Sequence, residues 1–285
     1  MRHPILVTGA PGNVSSEIVR LLQEGGHRVR AAAVDPVKAQ RALGDGVEYV
    51  PFNFGDAATY TDACEGVERL YLMRPPQITD VKGLIAPFID HARAAGVRQI
   101  VFLSLMGVEK NPFVPHAKVE QCLKASGVAY TMLRPTYFMQ NLSTTYREMI
   151  RQAGEIALPT ARGKMSFIDA RDIAAVAATC LTQPGHENKV YTLTGSEAYD
   201  YWEVARLFTE ELGRPVTFTN ASFGQYRRRM AALGMNQGLI NVTTVMYLLA
   251  RMGLSAGLTA ETEQLLGRAP ITMRQFIRDH AHLWS

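Results

Sequence analysis

Short apolar runs alternate along this chain with segments whose apolar residues return every three to four positions. Ile5-Leu6-Val7 is a continuous apolar run of strand length, and Val14, Ile18, Leu21 and Leu22 then recur at helical spacing. The same alternation continues. Strands are predicted over 27–34, 47–52, 67–73, 97–104 and 128–133. Helices are predicted from near Asn13, from Asp35-Pro36, and over 57–65, 80–95 and 117–126. Several of these helices are closed by a glycine, at Gly66, Gly96 and Gly127, and Pro36 stands at a first helical position.

Strict strand–helix alternation argues for a parallel sheet with helices on both faces. The expected fold class is α/β, a doubly wound parallel sheet of Rossmann type, spanning residues 1–150. Beyond it the pattern loosens. Phe167-Ile168-Asp169-Ala170-Arg171-Asp172 is read as opening a helix to about Leu181, 190–193 and 215–219 as strands, and 201–212 as a helix. From Ser222 onward three or four helices are expected, with breaks at Gly234, Gly253 and Gly257. Residues 151–285 are therefore expected to form a small, mostly helical C-terminal lobe that completes the substrate pocket and does not fold alone.

Composition narrows the function classes. The 285 residues are 47% hydrophobic and 20% charged, ordinary values for a globular protein. No run of eighteen apolar residues is present, so no membrane span is expected. Met1-Arg2-His3-Pro4 runs straight into the first strand, which is read as leaving no room for a signal peptide. Three cysteines, Cys64, Cys122 and Cys180, lie far apart on predicted helices, as suits a cytoplasmic protein. No Cys, His or acidic residues fall at metal-ligand spacing. The net charge of +4 is modest, and Arg227-Arg228-Arg229 is the only dense basic run, read as a solvated helix face. Direct nucleic-acid binding needs a broader basic stripe.

The first strand-to-helix turn carries the chemistry. Gly9-Ala10-Pro11-Gly12-Asn13-Val14-Ser15 spaces two glycines and a serine as Gly-x-x-Gly-x-x-Ser. Glycine leaves no side chain between backbone and ligand, and the helix that follows aims unpaired N–H groups at the turn, where a pyrophosphate fits. Serine replaces the third glycine and is small enough for close helix–strand packing. Ligands of such sheets sit beyond the carboxyl ends of the strands. The residues there are Gly9 to Asn13, Val34-Asp35, Asn53-Phe54, Met73-Arg74-Pro75, Ser104 to Met106 and Pro135 to Phe138. An acid at the end of the second strand favours NAD and an arginine favours NADP. Val34 is neither, while Asp35 can reach a ribose, and Lys38 and Arg41 a phosphate, so the choice stays open.

A serine, a tyrosine and a lysine near the fifth strand and the next helix would make a reductase catalytic set. Ser104 and Lys118 are present, but the position four before Lys118, where the tyrosine proton donor belongs, is Val114. Lys118 is then expected at the nicotinamide ribose. His116 is the nearby group whose ordinary pKa suits proton transfer.

The segments Val7 to Asn13, Val97 to Ser104, His116 to Glu120, Leu133 to Asn141 and Phe167 to Ile173 together resemble the NmrA-like family, atypical short-chain dehydrogenase/reductases, over nearly the whole chain. The resemblance implies NAD(P)H as cofactor. It implies that Gly9, Pro11, Gly12, Asn13 and Val14 hold the pyrophosphate and that Asn53 and Phe54 flank the adenine. Met73, Arg74 and Pro75 would pass under the ribose and pyrophosphate. Val34 stands where many members carry an arginine, with Asp35 beside it. Ser104 and Lys118 would face the nicotinamide ribose, and Pro135, Tyr137 and Phe138 would border the nicotinamide. Members include quinone and triphenylmethane dye reductases and a dinucleotide-binding co-regulator. Two functions are therefore expected as alternatives. One is a reductase of a quinone-like or delocalised apolar small molecule, its pocket lined from Tyr137, Phe138, Met139, Tyr146 and Met230, with plain core packing as the other reading of these residues and the one preferred for Met246. The other is a non-catalytic redox sensor acting through a protein partner. A monomer or homodimer is expected.

Overall fold

The computed structural model describes residues 3–285; Met1 and Arg2, part of the short lead into the first strand, lie outside them. In chain order the first elements are β1 (Ile5–Thr8), α1 (Asn13–Glu24), β2 (Val29–Ala33), α2 (Pro36–Leu43), β3 (Glu48–Pro51), α3 (Tyr60–Cys64), β4 (Arg69–Met73), α4 (Ala86–Ala94), β5 (Gln99–Leu103), α5 (Pro115–Ser126) and β6 (Ala129–Pro135). The chain then leaves this unit for β7 (Tyr137–Phe138), α6 (Gln140–Ser143), α7 (Arg147–Ala153), β8 (Glu155–Leu158) and β9 (Met165–Ile168). It returns for α8 (Ala170–Thr182) and β10 (Lys189–Leu193). The remainder is β11 (Ala198–Tyr199), α9 (Tyr201–Leu212), β12 (Thr217–Asn220), α10 (Phe223–Ala232), α11 (Gln237–Arg251), α12 (Glu261–Leu266) and α13 (Met273–Asp279).

Two compact units result, Met1–Pro135 with Ala170–Leu193, and Thr136–Asp169 with Thr194–Ser285. The single boundary expected near residue 150 is replaced by a chain that passes between units three times. The segment 170–193, placed by its sequence in the C-terminal lobe, belongs to the first unit. Its strand β10 pairs in parallel with β6, Val190 opposite Met132, and its helix α8 packs against α1.

The first unit is a seven-stranded parallel sheet in the order β10-β6-β5-β4-β1-β2-β3. The order reverses between β1 and β4, and this doubly wound topology puts the ligand crevice beyond their carboxyl ends. The central strands are apolar because both faces are covered: Ile5 to Thr8 and Leu70 to Leu72 are fully buried. One aromatic cluster under β3 and β4 joins Phe52, Phe54, Tyr60 and Phe88, with Phe52 and Phe88 edge to face at 4.7 Å.

The second unit is mostly helical, as expected, and also holds a three-stranded sheet, β11-β9-β7, and a parallel pair, β12-β8. Phe167 and Ile168, read as a helix start, are the end of β9, and the helix begins at Ala170. Its core gathers Tyr137, Tyr146, Tyr201, Tyr226 and Tyr247 with Phe167, Phe208, Phe276 and Trp284. Four helices follow Ser222, three of them opened by side-chain caps at Ser222, Asn236 and Thr272. No helix among the described residues is long and apolar enough to cross a membrane.

Candidate functional site

The glycine turn is built at the point where the sheet order reverses. Thr8, at the end of β1, is fully buried. Its hydroxyl donates to the Tyr71 carbonyl at 3.0 Å and accepts the Met73 N–H at 2.9 Å, so it clamps β1 to β4. Gly9 follows with φ +75°, a left-handed conformation that disfavours a side chain, and the Met73 methyl occupies the space its Cβ would take. The Gly12 N–H donates to the Gly9 carbonyl at 2.8 Å, and a Cβ on Gly12 would stand 2.9 Å from that oxygen. Helix α1 opens at Asn13 and Val14 with no side-chain cap and no acid in its first turn. Its leading N–H groups and dipole are left for an anion. Ser15, in the third fingerprint position, is buried and donates its hydroxyl to the Thr8 carbonyl at 3.0 Å.

Beside this turn lies a cleft of about 460 Å³ within the first unit. Of the residues singled out in the sequence, Gly9, Pro11, Val34, Asp35, Asn53, Phe54 and Pro75 line it, together with Lys38. Phe52 and Ile78 also line it and were not anticipated. Phe52 ends the third apolar run, a position that could have marked it. Ile78 lies in an irregular segment with no periodicity to read. Val34 is 79% exposed. The Asp35 carboxylate is engaged as the cap of α2, accepting the Lys38 N–H at 2.9 Å. Asn53 accepts the Gly55 N–H on Oδ1 at 2.9 Å, which leaves its Nδ2 as a donor. Arg74 turns its guanidinium into its own loop and donates to the carbonyls of Pro75 at 2.8 Å and Ile78 at 2.6 Å. That burial lowers its pKa. Arg74 thus fastens the 75–78 wall of the cleft through Nη1.

At the end of β5 the structure corrects two expectations. Ser104 is 4% exposed, and its hydroxyl donates to Glu120 Oε1 at 2.6 Å instead of facing a ribose. Glu120 in turn accepts Arg134 Nε at 2.9 Å and Nη2 at 2.6 Å, while Arg134 Nη1 reaches Glu109 at 3.0 Å. The hydroxyl is held within a buried ion pair that locks α5 to β6. Glu120 was missed, although a carboxylate between Val119 and Leu123 on the inward face of α5 is an unusual placement. His116 is the second correction. Burial, assisted by the Arg74 guanidinium, pushes its pKa down to about 3, so the imidazole is neutral and has no acidic proton to give at neutral pH. Lys118 is exposed, and its ammonium has no hydrogen-bond or ion-pair partner among the described residues. Val114, at the expected proton-donor position, is the residue before α5. Pro135 is buried at the end of β6.

In the second unit, Tyr137 lies in the core. Its hydroxyl meets that of Tyr247 at 2.7 Å, and Tyr247 meets Tyr146 at 2.5 Å. Burial raises all three phenols well above their ordinary pKa. Met139, Tyr146 and Met230 are buried in the same core, with Met246 packed against it, so the core-packing reading describes these residues. Phe138 is half-buried on β7.

Known proteins share this arrangement. The NmrA-like family model matches residues 1–277. An NAD(P)H azoreductase of Xenophilus azovorans is 35% identical over 97% of this chain and 98% of its own. Quinone oxidoreductase 2 of Escherichia coli is 28% identical over 84% of this chain and 85% of its own. Among solved structures, the NADPH-dependent quinone oxidoreductase of Escherichia coli complexed with NADPH superposes with a TM-score of 0.86 at 26% identity, covering 99% of this chain and all of that one. The glycine turn, the uncapped α1 and the reversal of sheet order at β1 and β4 thus occur in a chain that belongs to the NmrA-like family.

Proposed function

We propose that the protein is an NAD(P)H-dependent reductase of quinone-like or other delocalised apolar acceptors. The carrying observation is the cleft of the first unit, set beside a helix N-terminus that lacks both a cap and an acid. Its residues fit a dinucleotide: Gly12 has no room for a Cβ, and the open N–H groups of α1 suit a pyrophosphate. The relatives named above, an azoreductase and a quinone oxidoreductase, favour a reductase over a non-catalytic sensor.

When bound, the dinucleotide supplies the hydride, and the protein supplies binding, orientation and electrostatics. In this reading Asn53 Nδ2 donates to the adenine edge, with Phe54 beside it. Gly9, Pro11 and Gly12 shape the turn that makes room for the pyrophosphate, the Asn13 and Val14 N–H groups donate to it, and the Met73 to Pro75 backbone forms the opposite wall. Lys38 attracts a ribose phosphate and Asp35 repels it, so neither NAD nor NADP is strongly refused. Lys118 binds the nicotinamide ribose as a cation. Neither Val114 nor neutral His116 donates a proton from α5. The acceptor must then tolerate late protonation, as a quinone or an azo or cationic dye does and a simple ketone does not.

Lys118→Ala tests this reading. It is expected to weaken NADPH binding and slow quinone-dependent NADPH oxidation together. Wild-type values for both would remove Lys118 from the site.

A further inference from the structure

From Leu212 to Ala260 the chain has no aspartate or glutamate, and it carries Arg214, Arg227, Arg228, Arg229 and Arg251. Two of these arginines are spent within the fold. Arg214 donates to the carbonyls of Ile150 and Trp284 at 3.0 and 2.8 Å, and Arg229 pairs with Glu155 at 3.1 Å. Arg227, half-buried, and Arg228 and Arg251, both exposed, have no ion-pair partner among the described residues.

Helices α10 and α11 bury their inner faces in one core, through Tyr226 and Met230 and through Ile240, Tyr247 and Ala250. A water-facing helix normally turns polar side chains outward. The outer face of α11 instead presents Val242, Val245, Leu248, Leu249 and Met252, with Val242 57%, Val245 55% and Met252 62% exposed. Arg251 is the only charged side chain on α11. An exposed apolar stripe of this kind marks an interaction surface.

We infer that the outer face of α10 and α11 docks on an anionic lipid surface. Its apolar side chains would enter the boundary between headgroups and acyl chains, and Arg227, Arg228 and Arg251 would meet lipid phosphates. Charge complementarity selects this occupant. A second copy would bring the same three unpaired arginines, so two-fold pairing would set like charges near each other. The inference is independent of the reductase reading, because binding to vesicles is read without cofactor or acceptor.

The test is co-sedimentation of the full chain with vesicles of phosphatidylglycerol and phosphatidylcholine, or of phosphatidylcholine alone, at low and high salt. Binding to the anionic vesicles is expected, with loss on phosphatidylcholine alone and weakening as salt rises. Arg228→Gln should reduce partition about fivefold, the worth of one cation near such a surface. Val245→Asp, at a position 55% exposed in the middle of α11, should remove partition with little change in the thermal midpoint. Three outcomes would overturn the inference: no sedimentation with anionic vesicles, equal sedimentation with both kinds, or wild-type partition of Val245→Asp. A concentration-dependent dimer dispersed by Val245→Asp would assign the face to a second copy and also overturn it.

Discussion

The Ser15 hydroxyl donates to the Thr8 carbonyl at 3.0 Å, joining the first turn of α1 to the end of β1 across the glycine turn. Serine thereby does more than fit where a third glycine is usual. Its polar atom is satisfied locally, and the helix is held at the depth the fingerprint requires. Ser15→Ala removes this buried bond and is expected to lower stability by about 1 kcal/mol in urea unfolding. An unchanged midpoint would show that the bond contributes nothing.

Gly12 is expected to carry the ligand side of the same turn. A Cβ there would lie 2.9 Å from the Gly9 oxygen, and a longer chain would fill the space before α1. Gly12→Leu is expected to weaken dinucleotide binding by about a hundredfold or more, roughly 3 kcal/mol, by calorimetry, with an unchanged circular dichroism spectrum. Retained affinity would move the dinucleotide away from this turn.

The end of β2 is expected to set cofactor preference. Val34 is exposed, Asp35 is tied to the α2 cap, and Lys38 borders the cleft. Affinities for NADH and NADPH are expected to differ by less than about a hundredfold. Val34→Arg should shift the ratio toward NADPH, and Lys38→Ala toward NADH. A wild-type protein that binds one cofactor and ignores the other would contradict this balance.

Much of this was legible in the sequence and some was not, and the difference is one of range. The strand–helix alternation of 5–135, the glycine turn and the strand-end residues around the cleft are local patterns, and the structure places them together. The partner of β10 is not local. Val190 to Leu193 reads as a strand, yet nothing nearby tells that it pairs with β6 across the excursion through β7 to β9. The hydrogen bond from Ser104 to Glu120 likewise joins an element end to a helix interior, so the serine looked free in sequence. His116 misled for a related reason: a histidine at a helix start reads as solvated, and only the fold shows it against Phe102 and near Arg74.

That environment has a pH consequence. The ordinary imidazole pKa of 6.5 falls to about 3 in the folded protein. Between these values the unfolded chain binds a proton that the native state refuses, so stability falls as pH drops below 6.5 and is complete above it. His116→Gln removes this contribution. Its urea midpoint should decline less than that of wild type between pH 7 and pH 5. Parallel declines would show that the native His116 titrates normally.

The buried pair beneath Ser104 is expected to matter for folding more than for turnover. Glu120→Ala leaves Arg134 with Glu109 alone and should cost about 3 kcal/mol in urea unfolding. Ser104→Ala, which leaves that pair intact, should keep cofactor affinity near wild type. A large loss of affinity in Ser104→Ala would return the serine to the ribose.

A reductase that works without a donated proton is distinguished by its choice of acceptor. Initial rates of NADPH oxidation by the wild-type protein would be compared for a quinone, an azo dye and a simple ketone at equal concentration. General acid assistance typically contributes about 10²–10⁴-fold, so the ketone is expected near background while the quinone or the dye turns over. Brisk ketone reduction, or tight NADPH binding with no oxidation by any of the three, would contradict the account.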